Sequence, residues 1–321
     1  MKTKEITVVD LNLQEFIEEQ TREISSAVGD GTAINALSGG VDSSAVTMLG
    51  HKALGDRLKT YFIDNGLMRQ DEPQEIAALF KNLGVDIQIL DAKKEFFSAL
   101  KGVTDPEEKR EAITQTFYKN VFARLVRESK SKFLLQGTIL TDIDETVAGI
   151  KRQHNVFEQL GIDPQKEFGY EILEPLVQLR KDGVRKVAEA LGLPKSNFQR
   201  IPFPGPALAA RVIGEVTPEK IEVVRIATKI TEEELCSTGA FQYMAILHQD
   251  RVTGMRDNQR DFGLQIEIRC WDSIDARTAK PTKLPYETLD NLAKRIISEV
   301  PGVVSVTYNI ASKPPSTMEA I

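Results

Sequence analysis

Leu13, Phe16, Ile17 and Ile24 recur at the spacing of one helix face, predicting an amphipathic helix over residues 13–28. From there the period switches back and forth. Short apolar runs at 33–37, 59–63, 85–90 and 133–136 are too brief for helices and predict strands. Stretches of helical periodicity at 42–54, 71–83, 106–130 and 179–191 predict helices, the last stopped by Gly192 and Pro194. Apolar strands alternating with helices predict an α/β fold in which a parallel sheet is covered by helices on both faces. Ligands of such sheets bind beyond the carboxyl ends of the strands.

The pattern changes at Ile201-Pro202-Phe203-Pro204-Gly205-Pro206. Proline lacks an N–H and fixes its backbone, so this run continues neither a helix nor a central strand and predicts a stiff elbow. Beyond it, helices are predicted at 218–235 and 286–298, and period-two alternation at 264–268 and 303–307 predicts a half-covered sheet with helices on one face. The chain therefore divides into residues 1–206, a parallel-sheet α/β domain, and residues 207–321, a smaller α+β domain.

The first predicted strand runs directly into Ser38-Gly39-Gly40-Val41-Asp42-Ser43-Ser44. Two glycines leave backbone N–H groups uncovered, a helix starting near Asp42 adds its positive end, and Ser38, Ser43 and Ser44 add hydroxyls. Asp42 offers a carboxylate to the metal that accompanies a polyphosphate. The loop reads as a phosphate grip of neither common kind: no Lys follows the glycines as in a Walker loop, and they are adjacent, unlike a dinucleotide fingerprint.

Composition narrows the setting. The formal net charge of −6 argues against a nucleic-acid partner, whose footprint is usually basic. No apolar run approaches the roughly 18–20 residues of a membrane span, and residues 1–10 lack the apolar centre of a signal peptide, so a cytoplasmic protein without a membrane partner is expected. Cys236 and Cys270 form no metal-ligand spacing. They, His51 and His248 read as packing or surface residues.

The S-G-G-x-D-S run resembles the signature of the ATP pyrophosphatases, the PP-loop synthetases with an adenine-nucleotide alpha-hydrolase-like fold. Further segments resemble one branch, the GMP synthetases: Phe62-Ile63-Asp64-Asn65-Gly66-Leu67-Met68-Arg69, the stretch from Ala99 to Arg110, Gln136-Gly137-Thr138, Arg200 with the proline elbow, Gly214 to Lys220, and Ser312-Lys313-Pro314-Pro315. The matches run in family order from about residue 12 to the C-terminus. The resemblance implies ATP cleavage between its alpha and beta phosphates, adenylylation of xanthosine monophosphate, and ammonia attack to give GMP, AMP and pyrophosphate. With the synthetase part alone, the chain resembles the two-subunit form common in archaea, whose separate glutaminase subunit supplies ammonia.

Carried over residue by residue, the resemblance gives the ATP site Ser38, Gly39, Gly40, Val41, Asp42, Ser43, Ser44, Asp64, Gly137 and Thr138. It implies Mg²⁺ held by Asp42 and Asp142, with Glu145 in the same segment, and a mobile lid in which Lys151 and His154 act with Asp42 in catalysis. It assigns Arg200, Lys313, Thr317 and Glu319 to the nucleotide substrate, and implies a homodimer formed through the second domain. On their own, Asp142 and Glu145 read more readily as a helix start or an exposed face than as metal ligands.

The chain departs from the family around the substrate. Its lid reads Gly149-Ile150-Lys151-Arg152-Gln153-His154-Asn155, with one Lys and one His fewer than the family's, and it ends Pro315-Ser316-Thr317-Met318-Glu319-Ala320-Ile321, without the family's aromatic and terminal acid. Two other readings therefore stay open at this level: a paralogue that activates a different acceptor, for example in sulfur transfer, and a nucleotide-binding regulator without catalysis.

Overall fold

The structure, a computed structural model, describes residues 4–147, 170–195, 201–256, 258–274 and 276–320. In chain order the first elements are α1 (Leu13–Val28), β1 (Ala33–Leu37), α2 (Val41–Leu54), β2 (Leu58–Asp64), α3 (Glu72–Asn82), β3 (Ile87–Asp91), α4 (Lys93–Leu100) and α5 (Pro106–Gln115). They are followed by α6 (Ala123–Ser129), β4 (Phe133–Leu135), α7 (Leu140–Val147), β5 (Glu171–Leu173) and α8 (Lys181–Ala190). The remainder holds α9 (Pro218–Leu235), β6 (Gln242–Arg256), β7 (Gln259–Asp272), β8 (Lys280–Pro281), α10 (Tyr286–Glu299) and β9 (Val303–Tyr308). Contacts divide the chain into two compact units: Met1–Asp64, Glu72–Asp91 and Phe117–Arg200 form the first, and Asn65–Asp71, Ala92–Thr116 and Ile201–Ile321 the second.

In the first unit, β1 to β5 make one parallel sheet in the order β3-β2-β1-β4-β5. Strand order reverses between β1 and β4, which makes their carboxyl ends the switch point where open α/β sheets take ligands. Helix α1 forms because Phe16, Ile17, Ile24 and Val28 fall on one buried face, while Asn12 accepts the Glu15 N–H and Gly29, at φ 56°, closes the other end. Helix α2 packs against α1, α8 and the sheet. Its residues Ala45, Val46 and Leu49 are buried, as are Ala33, Ile34 and Leu37 of β1.

A buried polar chain crosses this core. Asn35 in β1 accepts from Thr60 Oγ1 at 2.7 Å and donates to Thr47 Oγ1 at 2.6 Å, and Thr47 Oγ1 donates to the Ser43 carbonyl at 2.8 Å. Every buried polar atom in that relay has a partner, so it ties β2, β1 and α2 together beneath the loop that follows β1.

The helix expected over 106–130 is interrupted. A π-helical turn, Thr116–Phe122, separates α5 from α6. The widened turn brings residues five apart over one another, and Phe117 and Phe122 stack with ring centroids 6.0 Å apart. Strand β5 has three residues, too few to display a period, and α4 was not separable from its surroundings by pattern.

In the second unit, β6 and β7 form a long antiparallel pair; β7 also pairs with β8 antiparallel and with β9 in parallel. Helix α9 starts where Thr217 accepts the Lys220 N–H and Pro218 occupies the first turn. It packs on β6 and on α10, and Arg295 of α10 bonds Glu233, Glu234 and Glu299 at 2.8 Å each. The half-covered sheet predicted from alternation needs correction along β7. Ile266, Ile268 and Cys270 are buried as expected, but Glu267, Arg269 and Trp271 on the other face are also 8%, 9% and 1% exposed. The C-terminal segment covers them: Met318 packs into a small core with Met244, Ile246, Trp271 and Ala279.

Candidate functional site: a phosphate loop and a clamped tail

Ser38 to Ser44 occupy the switch point of the first unit. Leu37 pairs with Phe62, so Asp64 lies two residues further along β2 at the same sheet edge, with 6% of its surface exposed. Gly39 adopts φ +78°, which disfavours any side chain, and Gly40 stands at the N-cap of α2 with no side-chain cap to its N–H groups. The loop is braced from within. Ser38 and Ser43 hydroxyls lie 3.0 Å apart, the Ser38 N–H donates to Ser43 Oγ at 3.2 Å, and Ser43 Oγ donates to the Gly40 carbonyl at 3.0 Å. Val41 and Ser44 are buried beneath it.

Gly137 follows β4 and meets this loop. A Cβ built on it would stand 3.2 Å from Asp42 C and Ser43 N, so glycine lets the chain lie against the first turn of α2 without displacing its backbone. Thr138, almost fully buried, donates to Glu174 Oε1 at 2.5 Å and accepts from Gln136 Nε2 at 3.3 Å. The two loops after β1 and β4 are therefore one assembly.

Asp42 shows where a cation would go. Its Oδ2 accepts from Lys181 Nζ at 2.6 Å, while Oδ1, buried, has no hydrogen-bond partner, and neither has the buried Ser44 Oγ. An unsatisfied buried acceptor costs about 1–3 kcal/mol, which a bound cation or donor would relieve. Asp142, the third residue of α7, accepts from the Ile139 N–H at 3.0 Å, half of a capping box. Among the described residues no three His, Cys, Asp or Glu side chains converge as a metal cage. Mg²⁺ does not need one: it is usually held by one or two carboxylates, water and substrate phosphates, and Asp42 Oδ1 suits that arrangement. Tyr118, in the π-helical turn, has its phenol pushed up by burial and by Tyr170 and Asp142.

Lys181 escaped the sequence reading although a signal was present. A cation in the first turn of a helix opposes the helix dipole, and Arg180 and Lys181 both stand at the start of α8. Each is held by carboxylates instead, Lys181 by Asp42 and Arg180 by Glu5 and Asp144.

Thr317 and Glu319 come together in the second unit, which also holds Lys313. Thr317 Oγ1 donates to the Glu319 carbonyl at 2.7 Å, and Glu319 Oε1 accepts from Gln242 Nε2 at 2.8 Å. Lys313 exchanges backbone hydrogen bonds with Ala279 and donates from Nζ to the Ala276 carbonyl at 2.7 Å. Beneath Glu319 lies Arg211, wholly buried, its Nε 3.5 Å from Glu319 Oε2 and its guanidinium 4.8 Å from the centre of the Phe203 ring in the proline elbow. None of the Arg211 nitrogens has a hydrogen-bond partner, and burial lowers its pKa. Gln242, Arg211 and Arg269 had no local pattern to announce them. Lys151, His154 and Arg200 lie outside the described residues, as does the side chain of Glu145. No helix of the described residues is long and apolar enough to cross a membrane.

Comparison with known proteins agrees with both halves. The asparagine synthase family model matches residues 25–256 and the GMP synthase C terminal domain matches residues 228–320. A subunit of the glutamine-hydrolyzing GMP synthase of Archaeoglobus fulgidus is 48% identical over 309 residues, 96% of this chain and 99% of that protein. The corresponding GMP synthase subunits of Methanopyrus kandleri and Pyrococcus horikoshii are 45% and 46% identical, each over 95% of this chain and 98% of their own length. Identity at this level across almost the whole of both chains means that this chain belongs to the same family of GMP synthase subunits.

Proposed function

We propose that this chain aminates xanthosine monophosphate at the expense of ATP, working in the cytoplasm as a homodimer joined through residues 207–321, beside a separate glutaminase subunit that supplies ammonia. The observation that carries the reading is the loop Ser38–Ser44 at the sheet's switch point, with glycine at 39, 40 and 137 and an unsatisfied Asp42 oxygen. Residues 1–206 are the ATP pyrophosphatase domain in this account.

The substrate's O2 attacks the alpha phosphorus of ATP, the bond to the beta phosphate breaks, and pyrophosphate leaves. Ammonia then adds to C2 of the adenylylated base, loses protons to solvent, and displaces AMP to give GMP. Backbone N–H groups at the start of α2 and the Ser38 and Ser43 hydroxyls hold the departing pyrophosphate, where the helix dipole favours negative charge. Mg²⁺, held by Asp42 Oδ1 and by Asp142, would neutralise phosphate charge. Lys181 orients Asp42 through its hydrogen bond to Oδ2. Lys151 and His154 stabilise charge developing on pyrophosphate. Arg200, Lys313, Thr317 and Glu319 hold the nucleotide substrate, and Asp64, Gly137 and Thr138 complete the ATP side.

Purified protein given ATP, Mg²⁺, xanthosine monophosphate and ammonium is expected to form GMP, AMP and pyrophosphate in equal amounts. Asp42→Asn removes that turnover by at least about 100-fold while the melting temperature stays nearly constant, because the half-exposed Lys181 pair is worth only about 0–1 kcal/mol. Release of inorganic phosphate, or pyrophosphate release that ignores the nucleotide, would refute the proposal.

A further inference from the structure

Glu267, Arg269 and Trp271 alternate along β7 and so share one face, the face that the C-terminal segment covers. What fastens the segment is its main chain. Arg269 Nη1 donates to the carbonyl oxygens of Thr317 at 2.9 Å and Glu319 at 3.0 Å and lies 3.4 Å from that of Met318. Trp271 Nε1 donates to the Met318 carbonyl at 3.3 Å. The far side of the guanidinium is fixed as firmly: Arg269 Nε donates to Glu267 Oε1 at 2.7 Å. Glu267 in turn accepts from Asn309 Nδ2 at 2.9 Å, and its Oε2 lies 2.7 Å from His248 Nε2, at the register shift of β6.

We propose that Arg269 is a positioning residue for the nucleotide substrate. Without touching that substrate, it fixes the backbone of residues 317–319 so that the Thr317 hydroxyl and the Glu319 carboxylate face the ligand together. The inference rests on the reading above that this tail binds the nucleotide. A buried cation is an expensive way to seal a sheet face, since apolar residues of similar volume do so at equal or better stability. Arg269 has a planar fork of donors that can reach several carbonyls at once, and Glu267 with its two further partners keeps that fork in one orientation. The cluster therefore specifies a geometry in which three consecutive tail carbonyls are gathered on one side chain, directly beside the two groups assigned to the substrate.

Trp271, the single tryptophan of the chain, supplies a built-in reporter of the tail. Arg269→Gln should shift its emission to the red as the 1%-exposed indole is uncovered, and should raise KM for xanthosine monophosphate roughly 10- to 100-fold, the loss of one or two charge-assisted hydrogen bonds, with KM for ATP unchanged. Arg269→Lys, a point charge that spans fewer carbonyls, falls between the two. Glu267→Gln, which leaves Arg269 in place but loosens it, shifts both readouts in the same direction by less. Unchanged emission and unchanged KM in Arg269→Gln overturn the proposal, and so does an equal rise in both KM values, which marks general damage. The emission is read without substrates, so it supports or overturns the tie even for a protein that forms no GMP, an outcome that would overturn the proposed function instead.

Discussion

Replacing Gly137 by alanine adds one methyl group at the point where the β4 loop meets α2. That methyl carbon would sit 3.2 Å from Asp42 C and Ser43 N and 3.4 Å from Asp42 Cβ. Ordinary contacts between such atoms are near 3.5–4.0 Å, so something must move by a few tenths of an ångström. The obstructing atoms are backbone, and the Ser44 N–H to Gly40 carbonyl bond of 3.0 Å together with the Asn35–Thr47–Ser43 relay holds them in place. The φ of Gly137 is not positive, so the cost is steric alone. Overpacking of this kind costs about 1–3 kcal/mol. Expressed in the folding equilibrium, that lowers the melting temperature by a few degrees. Expressed in the ATP-bound state, which under the proposed function needs Asp42 in its present place, it lowers kcat/KM for ATP by a factor of about 5–150. Steady-state kinetics with ATP and xanthosine monophosphate varied in turn, beside a thermal melt, separate these effects. KM for xanthosine monophosphate is expected to stay constant. A variant with wild-type ATP kinetics and an unaltered melt would refute the close approach of the two loops and the pairing of β4 with β1 that produces it.

Two further outcomes test the second unit. Exchanging Arg211 for Met together with Glu319 for Gln removes a buried cation without hydrogen bonds and its partner at 3.5 Å; denaturant melts should show stability unchanged or raised by about 1–4 kcal/mol while GMP formation falls, and a loss of about 3 kcal/mol or more contradicts the reading. For Glu267, burial pushes the carboxyl upward, but hydrogen bonds from His248, Asn309 and Arg269 outweigh it and bring the pKa down to about 2. A depressed folded value stabilises above the unfolded pKa near 4.3, and that stabilisation, about 3 kcal/mol at most, is lost as pH falls from there through 2. Thermal melts between pH 5 and 2 should fall less steeply for Glu267→Gln than for the native chain, and identical slopes count against the hydrogen-bonded cluster.

Where local physics decides, the chain was readable. Helix α1, β1, β2 and α9 lie within a residue or so of their predicted spans, because caps, period and breakers agree there. The turn from β1 into α2 at Ser38–Ser44 was legible for the same reason, its glycines and hydroxyls being contiguous. What was not legible depends on distant partners. The π-helical turn goes with ring packing between Phe117 and Phe122, and the burial of Glu267, Arg269 and Trp271 on β7 comes from a tail some fifty residues away, so the alternating Glu267 and Arg269 looked like a solvent face. Lys181 meets Asp42 across 139 positions, and Arg211 reaches Glu319 only through the fold.

A segment gripped by its carbonyl oxygens is recognised without regard to its side chains. An exposed position such as Thr317 could change its side chain and still present the same carbonyl to Arg269, while Met318 adds an apolar anchor of its own. That gives the end of the chain evolutionary latitude. Ser316 and Thr317 lie outside the small apolar core, so substitutions there leave the docking intact, whereas Met318 and Ala320 pack into it. Substrate preference could then be retuned at this end by ordinary point substitution, with no new fold element and no loss of docking.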